Sequence, residues 1–327
     1  MEIKKAKFDV SGIGSALLDF MVEVDDSFLQ KLGLTKGGMQ LIDEDRSKEI
    51  FSLISGMKIE TAPGGSSANT VAGVATLGGR GAFIGRVADD EYGRVYIKKT
   101  TDSGVHSLIS AGDGLTGHAI AFITPDSERT FATHLGAALR LSHEDVDYSA
   151  VAESSILHLE GYLFEPANLR EICYRAMDTA KKNGVLISVD LADPGLIGRI
   201  GDVFKDLLNN YADIVFMNEE EAFAFTGVRD KNALEKIPSR CGIAIVKLGE
   251  KGSIIRHSSG FAEIPPYKTE VVNTNGAGDM YAAGVLYGIT SGKSIEMAGR
   301  IGSYSASVVV ASVGARAEKG IDLKGII

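Results

Sequence analysis

From residue 155 to the C-terminus, short apolar runs alternate with stretches of helical length and pattern, and this alternation leaves few folds open. Segments 155–159, 185–191, 214–217 and 243–248 read as strands, and 165–183, 200–209, 219–225 and 295–312 as helices. A strand that returns parallel to its predecessor needs a long crossover. The pattern therefore predicts an α/β fold, a mostly parallel sheet covered by helices on both faces, with ligands at the C-terminal ends of its strands. The strand 8–14, the small-residue helix 68–77, the strand 81–87 and a helix from about 89 to 102 extend the same scheme toward the N-terminus. Segment 253–257 is expected to pair back on 243–248.

Two regions do not fit a parallel sheet. Residues 20–24 and 38–42 are strand-like around a short amphipathic helix. Residues 118–124 and 130–135 alternate apolar and polar side chains about Pro125-Asp126-Ser127-Glu128, the mark of a hairpin with one exposed face. We expect them to form a lid, about 16–45 and 115–135, within a single domain spanning 1–327. No internal repeat is visible.

Composition narrows the class of partner. A formal net charge of -9 argues against non-specific binding to nucleic acid or to an anionic membrane. No apolar run approaches a membrane span, and Met1-Glu2-Ile3-Lys4-Lys5-Ala6-Lys7 leads straight into a strand, without the core of a secretion signal. Cys173 and Cys241 lie far apart and form no CxxC pair, which suits reduced thiols in the cytoplasm, and the six histidines show no ligand spacing. A small-molecule substrate is the expected partner.

Two glycine-containing stretches point to chemistry. Val271-Val272 reads as the end of a strand, Asn273-Thr274-Asn275 as a turn, and Gly276-Ala277-Gly278-Asp279 as the opening of an apolar helix from Met280 to Ile289. Small residues at a helix start let an anion approach free N–H groups, where the helix dipole also favours negative charge. Asp279 just inside that mouth is placed to take a proton from a bound hydroxyl; a plain glycine turn with Asp279 favouring the dipole is the alternative. The second stretch, Pro63-Gly64-Gly65-Ser66-Ser67-Ala68-Asn69, breaks the chain, offers Ser66 or Ser67 as a helix cap, and puts a polar Asn69 in the first turns of an apolar helix. Two tempting nucleotide motifs fail. Gly12-Ile13-Gly14 has Leu17 where a dinucleotide fingerprint needs its third glycine, and 288–294 is one residue short of a P-loop and follows a helix, so it reads as a helix-to-helix turn.

Together these stretches resemble the signatures of the PfkB (ribokinase-like) carbohydrate kinases: 63–69 continuing through Gly85 and Gly93, 273–284, and Asn218-Glu219-Glu220-Glu221 as an N-x-x-E motif. The resemblance covers nearly the whole chain and implies a Rossmann-type three-layer sandwich with a small β lid. It makes Asp279 the base, and the N–H groups of Gly276, Ala277 and Gly278 the anion hole for the migrating phosphoryl group. Asn218 and Glu221 become the organisers of Mg²⁺, largely through water. Asp19, Gly64, Gly65 and Asn69 become the grip on the acceptor, and Asn218, Lys247, Gly249, Gly252, Asn275 and Ser303 the lining of the ATP site. ATP and Mg²⁺ are the implied cofactors, with a monovalent cation as a further candidate; monomer and homodimer both stay open. Two positions depart from the family pattern: Asn273 stands where Asp is usual, removing a negative charge, and Lys247 stands where Thr is common, adding a cation.

Within the family, Gly14-Ser15-Ala16-Leu17-Leu18-Asp19, His134-Leu135-Gly136-Ala137-Ala138 and Glu160-Gly161-Tyr162-Leu163-Phe164 resemble the adenosine-kinase-like branch. That implies phosphorylation of a nucleoside, adenosine first, on its ribose 5′-hydroxyl. Phe20, Phe122, Phe131, Tyr162 and Phe164 are candidates for stacking on the base. A kinase of ribose, fructose or 2-keto-3-deoxygluconate is the alternative, and a catalytically silent binding protein on the same fold is the reading from another class.

Overall fold

The computed structural model describes residues 3–126, 128–312, 314–317 and 320–326; Ser127, in the turn of the expected hairpin, lies outside them. In chain order the strands are β1 Phe8–Ile13, β2 Leu18–Glu23, β3 Met39–Leu41, β4 Ile59–Pro63, β5 Gly81–Ala88, β6 His106–Gly112, β7 His118–Ile123, β8 Arg129–His134, β9 Ser154–Glu160, β10 Leu186–Asp190, β11 Ile214–Asn218, β12 Ile243–Lys247, β13 Ser253–His257 and β14 Gly260–Ile264. The helices are α1 Asp26–Leu32, α2 Glu44–Leu53, α3 Ser66–Thr76, α4 Glu91–Asp102, α5 Tyr148–Ala152, α6 Ala167–Lys182, α7 Pro194–Asn210, α8 Glu219–Thr226, α9 Asp230–Lys236, α10 Ala277–Thr290 and α11 Ile295–Val310.

Nine strands form one sheet in the order β14-β13-β12-β11-β10-β9-β1-β5-β6. It is parallel from β12 to β6, with β13 and β14 added antiparallel at one edge. Its central strands are apolar on both faces, as burial between helix layers requires: β9, for example, is buried at every position. One core joins the sheet to α3, α10 and α11, and the other joins it to α6 through α9. Small residues on α10 and α11 allow close packing: a Cβ built on Gly284 comes within 2.6 Å of the Gly302 Cα. The parallel strands therefore deliver their C-terminal ends, and the starts of α3, α8 and α10, to one edge.

The five remaining strands make a second sheet, β3-β8-β7-β2-β4. The hairpin β7–β8 lies inside it, with β7 parallel to β2 and β8 parallel to β3. Several expectations are corrected here. β7 is buried along almost its whole length instead of exposing one face: Ile120 and Phe122 pack in one core with Leu29 and Leu32 of α1 and Ile50 of α2. β4 belongs to this sheet although it lies outside 16–45 and 115–135. The non-local pairings that recruit β4 and β6 leave no trace in short-range pattern. Val271-Val272 is not a strand end: both side chains are exposed, and the Val272 and Asn273 N–H groups donate to the Val310 carbonyl at the end of α11. The helix expected at 200–209 begins at Pro194, behind the cap Asp193, and kinks at Ile200. The 288–294 segment is a turn from α10 into α11, with Ser294 capping the latter.

Candidate active site

The start of α10 is shaped by Gly276, which holds φ +75°, a conformation that side chains disfavour, and whose Cβ position is blocked by the Ala315 carbonyl. The turn before it is tied by Asn273, whose Oδ1 accepts from the Asn275 N–H at 2.9 Å. The amide that replaces the usual Asp is thus buried and engaged in the turn. Gly276 and Gly278 face the open cleft. Ala277 differs: its N–H donates to the Thr274 carbonyl at 3.2 Å, and it is not among the cleft-lining residues, so two of the three expected anion-hole positions border the cleft.

Asp279 follows in the first turn, and α3 meets it head-on. Ser66 Oγ donates to Asp279 Oδ1 at 2.8 Å, and Asn69 Nδ2 donates to Asp279 Oδ2 at 2.9 Å. Neither serine caps α3. The cap residue is Gly65 at φ +91°, without a side-chain bond, while the Ser67 N–H donates to Glu160 at 2.8 Å. Gly65 lies so close to the Ser15 carbonyl that a Cβ has no room. Glu160 also accepts from the Ser15 N–H at 2.9 Å, clamping the loop after β1 to the start of α3. Burial raises the Asp279 carboxyl to about 7; the Asn69 and Ser66 hydrogen bonds oppose this, the charge of Asp190 adds to it and Lys247 opposes it. Asp19, on β2, is also raised to about 7 by burial, against the attraction of Arg316 and Arg129 and with help from Asp279. Both carboxyls face only the cleft, so protein replaces most of their water.

The other end of the cleft is set by β10, β11 and β12. Lys247 Nζ donates to Asp190 Oδ2 at 2.8 Å, both side chains nearly buried. Burial works against the charge on Lys247, but Asp190, Glu221 and Asp279 outweigh it and hold its pKa above the usual lysine range. The ammonium also lies beside Gly278, 3.2 Å from the position of a built Cβ. Asn218 caps α8: its Oδ1 accepts from the Glu221 N–H at 2.8 Å, and its own N–H returns to Glu221 Oε2 at 2.8 Å, a capping box. Burial lifts the Glu221 carboxyl to about 7, with Lys247 opposing and Asp190 adding. Among the described residues no group of three or more His, Cys, Asp and Glu side chains is disposed to hold a metal directly. One amide and one carboxylate, already bonded to each other, suit Mg²⁺ held through its own waters.

Between the two ends runs a cleft of about 910 Å³. The structure brings Asp19, Gly65, Asn69, Phe131, Tyr162, Asn218, Glu221, Lys247, Gly249, Asn275 and Asp279 to it, besides the two glycines of α10. Three further expected residues stand behind the wall. Gly64 presents its carbonyl to Tyr96 Oη and Arg316 Nη2, which donate at 2.9 and 3.2 Å. Gly252 makes the β12–β13 turn at φ +88°. Ser303 Oγ donates to the Pro265 carbonyl at 2.8 Å, fixing the loop after β14 to α11. Of the aromatic candidates, Phe20, Phe122 and Phe164 are core: Phe20 stacks edge-on with Phe51 and Tyr92, and Phe164 with Phe204. Phe131 and Tyr162 line the cleft, joined by Met39, Leu41 and Leu139, which are 50%, 54% and 39% exposed.

Sequence reasoning missed Asp190, Ser66, Arg316 and Arg129, and saw Glu160 only as part of a resemblance. Asp190 carried a usable signal, a charged residue closing an apolar strand. Arg316 carried none, since it lies beyond the last helix in a stretch without periodicity.

This geometry, an acid and an anion-sized mouth at the sheet's C-terminal edge under a second small sheet, defines a ribokinase-like phosphotransferase fold. The chain matches the pfkB family of carbohydrate kinases over residues 29–320 and belongs to that family. The crystal structure of adenosine kinase from Sinorhizobium meliloti superposes with a TM-score of 0.89 at 38% identity, over 96% of this chain and 97% of that one. A probable sugar kinase from Rhizobium etli superposes with a TM-score of 0.91 at 35% identity, over 98% and 100%. The 5-dehydro-2-deoxygluconokinase of Bacillus subtilis is 30% identical over 260 residues, 76% of this chain and 80% of that protein. The neighbours thus include kinases named for a nucleoside and for a sugar acid. No helix among the described residues is long and apolar enough to cross a membrane, and both cysteines are buried and free.

Proposed function

We propose that the protein transfers the γ-phosphoryl group of ATP to the primary hydroxyl of a nucleoside, adenosine foremost. The observation that carries this reading is the apolar roof of the cleft. Met39, Leu41, Phe131, Leu139 and Tyr162 offer flat and flexible apolar contact that a purine uses and a free sugar does not. The likeness to an adenosine kinase at 38% identity supports it.

Asp19, Asn69 and the backbone at Gly65 grip the ribose hydroxyls. Asp279 takes the proton of the attacking hydroxyl as its oxygen bonds to the γ-phosphorus, and the bond from that phosphorus to the β,γ-bridging oxygen breaks to leave ADP. The starting turn of α10 at Gly276 and Gly278, with the Lys247 ammonium beside it, faces the charge on the migrating group. Asn218 and Glu221 would hold Mg²⁺, which when bound would neutralise phosphate charge. Asn275 and Gly249 border the nucleotide.

The second reading, phosphorylation of a free sugar or sugar acid, is favoured by the likeness to the Bacillus subtilis 5-dehydro-2-deoxygluconokinase. ATP consumption by the purified protein with Mg²⁺ separates the readings, with adenosine, inosine, guanosine, cytidine, ribose, fructose and 2-keto-3-deoxygluconate as acceptors. Turnover with one nucleoside is the expected result. Turnover with free sugars alone discards the role given to the roof.

A further inference from the structure

Asp279, the proposed base, does not stand alone, and the chain of contacts behind it leads to the C-terminal segment. Asn69 donates through Nδ2 to Asp279, and its other end, Oδ1, accepts from Arg316 Nε at 2.8 Å. Arg316 Nη2 holds the Gly64 carbonyl at 3.2 Å, the same carbonyl that accepts from Tyr96 Oη. The residue before it, Ala315, presses its carbonyl against Gly276 at the turn that opens α10. Within three residues of one another along the tail, backbone and side chain thus touch the phosphate turn, the acceptor loop and the amide on Asp279.

We propose that Arg316 is a positioning residue for phosphoryl transfer: its guanidinium fixes the Asn69 amide with the NH₂ toward Asp279 and, from the same place, faces Asp19.

The physical case rests on the symmetry of an amide. Asn69 can be turned about its last bond with little change in shape, which would present Oδ1 to the Asp279 carboxylate, acceptor against acceptor. Arg316 Nε is donor-only, so only one of the two orientations satisfies both neighbours. The fork also explains the choice of Arg over Lys, since one planar group serves Asn69 Oδ1 and the Gly64 carbonyl together. Arg316 is not among the residues that line the cleft, so it stands behind the wall and acts through Asn69. The charge has a separate effect. Asp19 is faced by Arg316, Arg129 and Asp279, and Arg316 is the strongest of the influences that keep its carboxyl from rising further. Asp279 is faced by Asn69, Ser66, Asp190 and Lys247. The contact through Asn69 and the charge facing Asp19 are therefore separable by substitution.

The inference rests on the phosphotransfer reading of this site, and the test is arranged so that the two can fail separately. Kinetics are measured across pH 5.5 to 9 with the best acceptor of the panel, on full-length wild type and on Arg316→Ala, Arg316→Lys, Asn69→Ala and the Asn69→Ala/Arg316→Ala double variant, each checked for folding by thermal melt. Arg316→Ala is expected to lower kcat about ten- to hundredfold, the cost of a small misplacement at a reacting centre. It should also move the acidic limb of kcat/KM upward by about 1 pH unit, as loss of a facing cation does. Arg316→Lys should leave the limb near the wild-type position while kcat stays low. Because Arg316 acts through Asn69, the double variant should be no slower than the slower single variant. Additive losses in the double variant overturn the proposal, as does a folded Arg316→Ala enzyme with wild-type kcat and pH limb. An active Asp279→Asn enzyme, by contrast, removes the base assignment while leaving the coupling of Arg316 to Asn69 to be judged on the double variant.

Discussion

The two ends of the cleft are made of different material. At the phosphate end the polar side chains are engaged within the protein: Lys247 with Asp190, Glu221 with Asn218 in a capping box, Asp279 with Ser66 and Asn69. At the roof the lining is Met39 and Leu41 on an edge strand, with Phe131 and Tyr162, and half of the Met39 surface meets solvent. Buried polar contacts fix positions because breaking one leaves an unpaired group at a cost of about 1–3 kcal/mol. Exposed apolar contacts fix nothing until a ligand covers them. On the function proposed above, the reaction belongs to one end and the choice of acceptor to the other.

The largest break in that division comes at the base. Asp279→Asn keeps shape but loses the proton acceptor, and turnover should fall by about 10²–10⁴-fold, the usual worth of a positioned general base. Calorimetry should find ATP and acceptor binding within a few-fold of wild type; an active variant ends the assignment. Next is Gly276→Ala. A methyl group there meets the Ala315 carbonyl while the backbone is held at φ +75°, so the turn must move. We expect kcat to fall by about 10²-fold, comparable to loss of one anion-hole donor, with KM for the acceptor little changed. A larger effect on acceptor KM than on kcat would mean that the turn serves the roof end as well.

The same division governs what was legible in the sequence. The phosphate end is built largely from contiguous stretches, and 273–284 and 218–221 state their business locally: a turn, a helix start, a capping box. Asp279, Asn69, Asn218, Glu221 and Lys247 accordingly meet at one edge. Ala277 escaped because whether an N–H is free depends on the turn closing on Thr274, and Ser303 because a polar residue on a helix does not announce that it faces Pro265. The roof was hardly legible. β3 is three residues long and finds its place by pairing with β8, ninety residues on, so Met39 and Leu41 had no signal. Phe20 and Phe122 looked like ligand contacts because aromatic residues in strands look alike whichever face they take. The register puts Phe131 on the cleft side and Phe122 in the core.

A smaller effect sharpens the roof. Phe131→Ala should raise KM for adenosine about tenfold, from about 1.5 kcal/mol of lost apolar contact, while KM for ribose, if it is turned over at all, shifts less than about twofold because the sugar lies below the roof. Equal shifts for both acceptors would make Phe131 a packing residue of the second sheet and weaken the nucleoside reading.

Asp19 lies where the two ends meet, and its prediction is the finest. Its folded carboxyl is raised to about 7 from 3.8, so between about pH 4 and 7 the folded protein holds a proton that the unfolded chain has released. Folding stability must then fall as pH rises through that window and level off above it. Asp19→Asn removes the ionisation and should stabilise the protein at pH 8 by about 1 kcal/mol, well below the full worth of the shift because Asp19 still faces water in the cleft and loses its attraction to Arg316 and Arg129. At pH 4 the wild-type side chain is neutral in the folded state, and the gain should vanish. Melting curves of the two proteins at both pH values check this, and a gain of the same size at pH 4 and 8 would mean that Asn packs better there and that the carboxyl is not held protonated. The same variant should bind acceptor less tightly, because a neutral amide grips a hydroxyl less well than a carboxylate. Stability gained and affinity lost in one substitution is the behaviour of a side chain kept for its ligand at the expense of the fold.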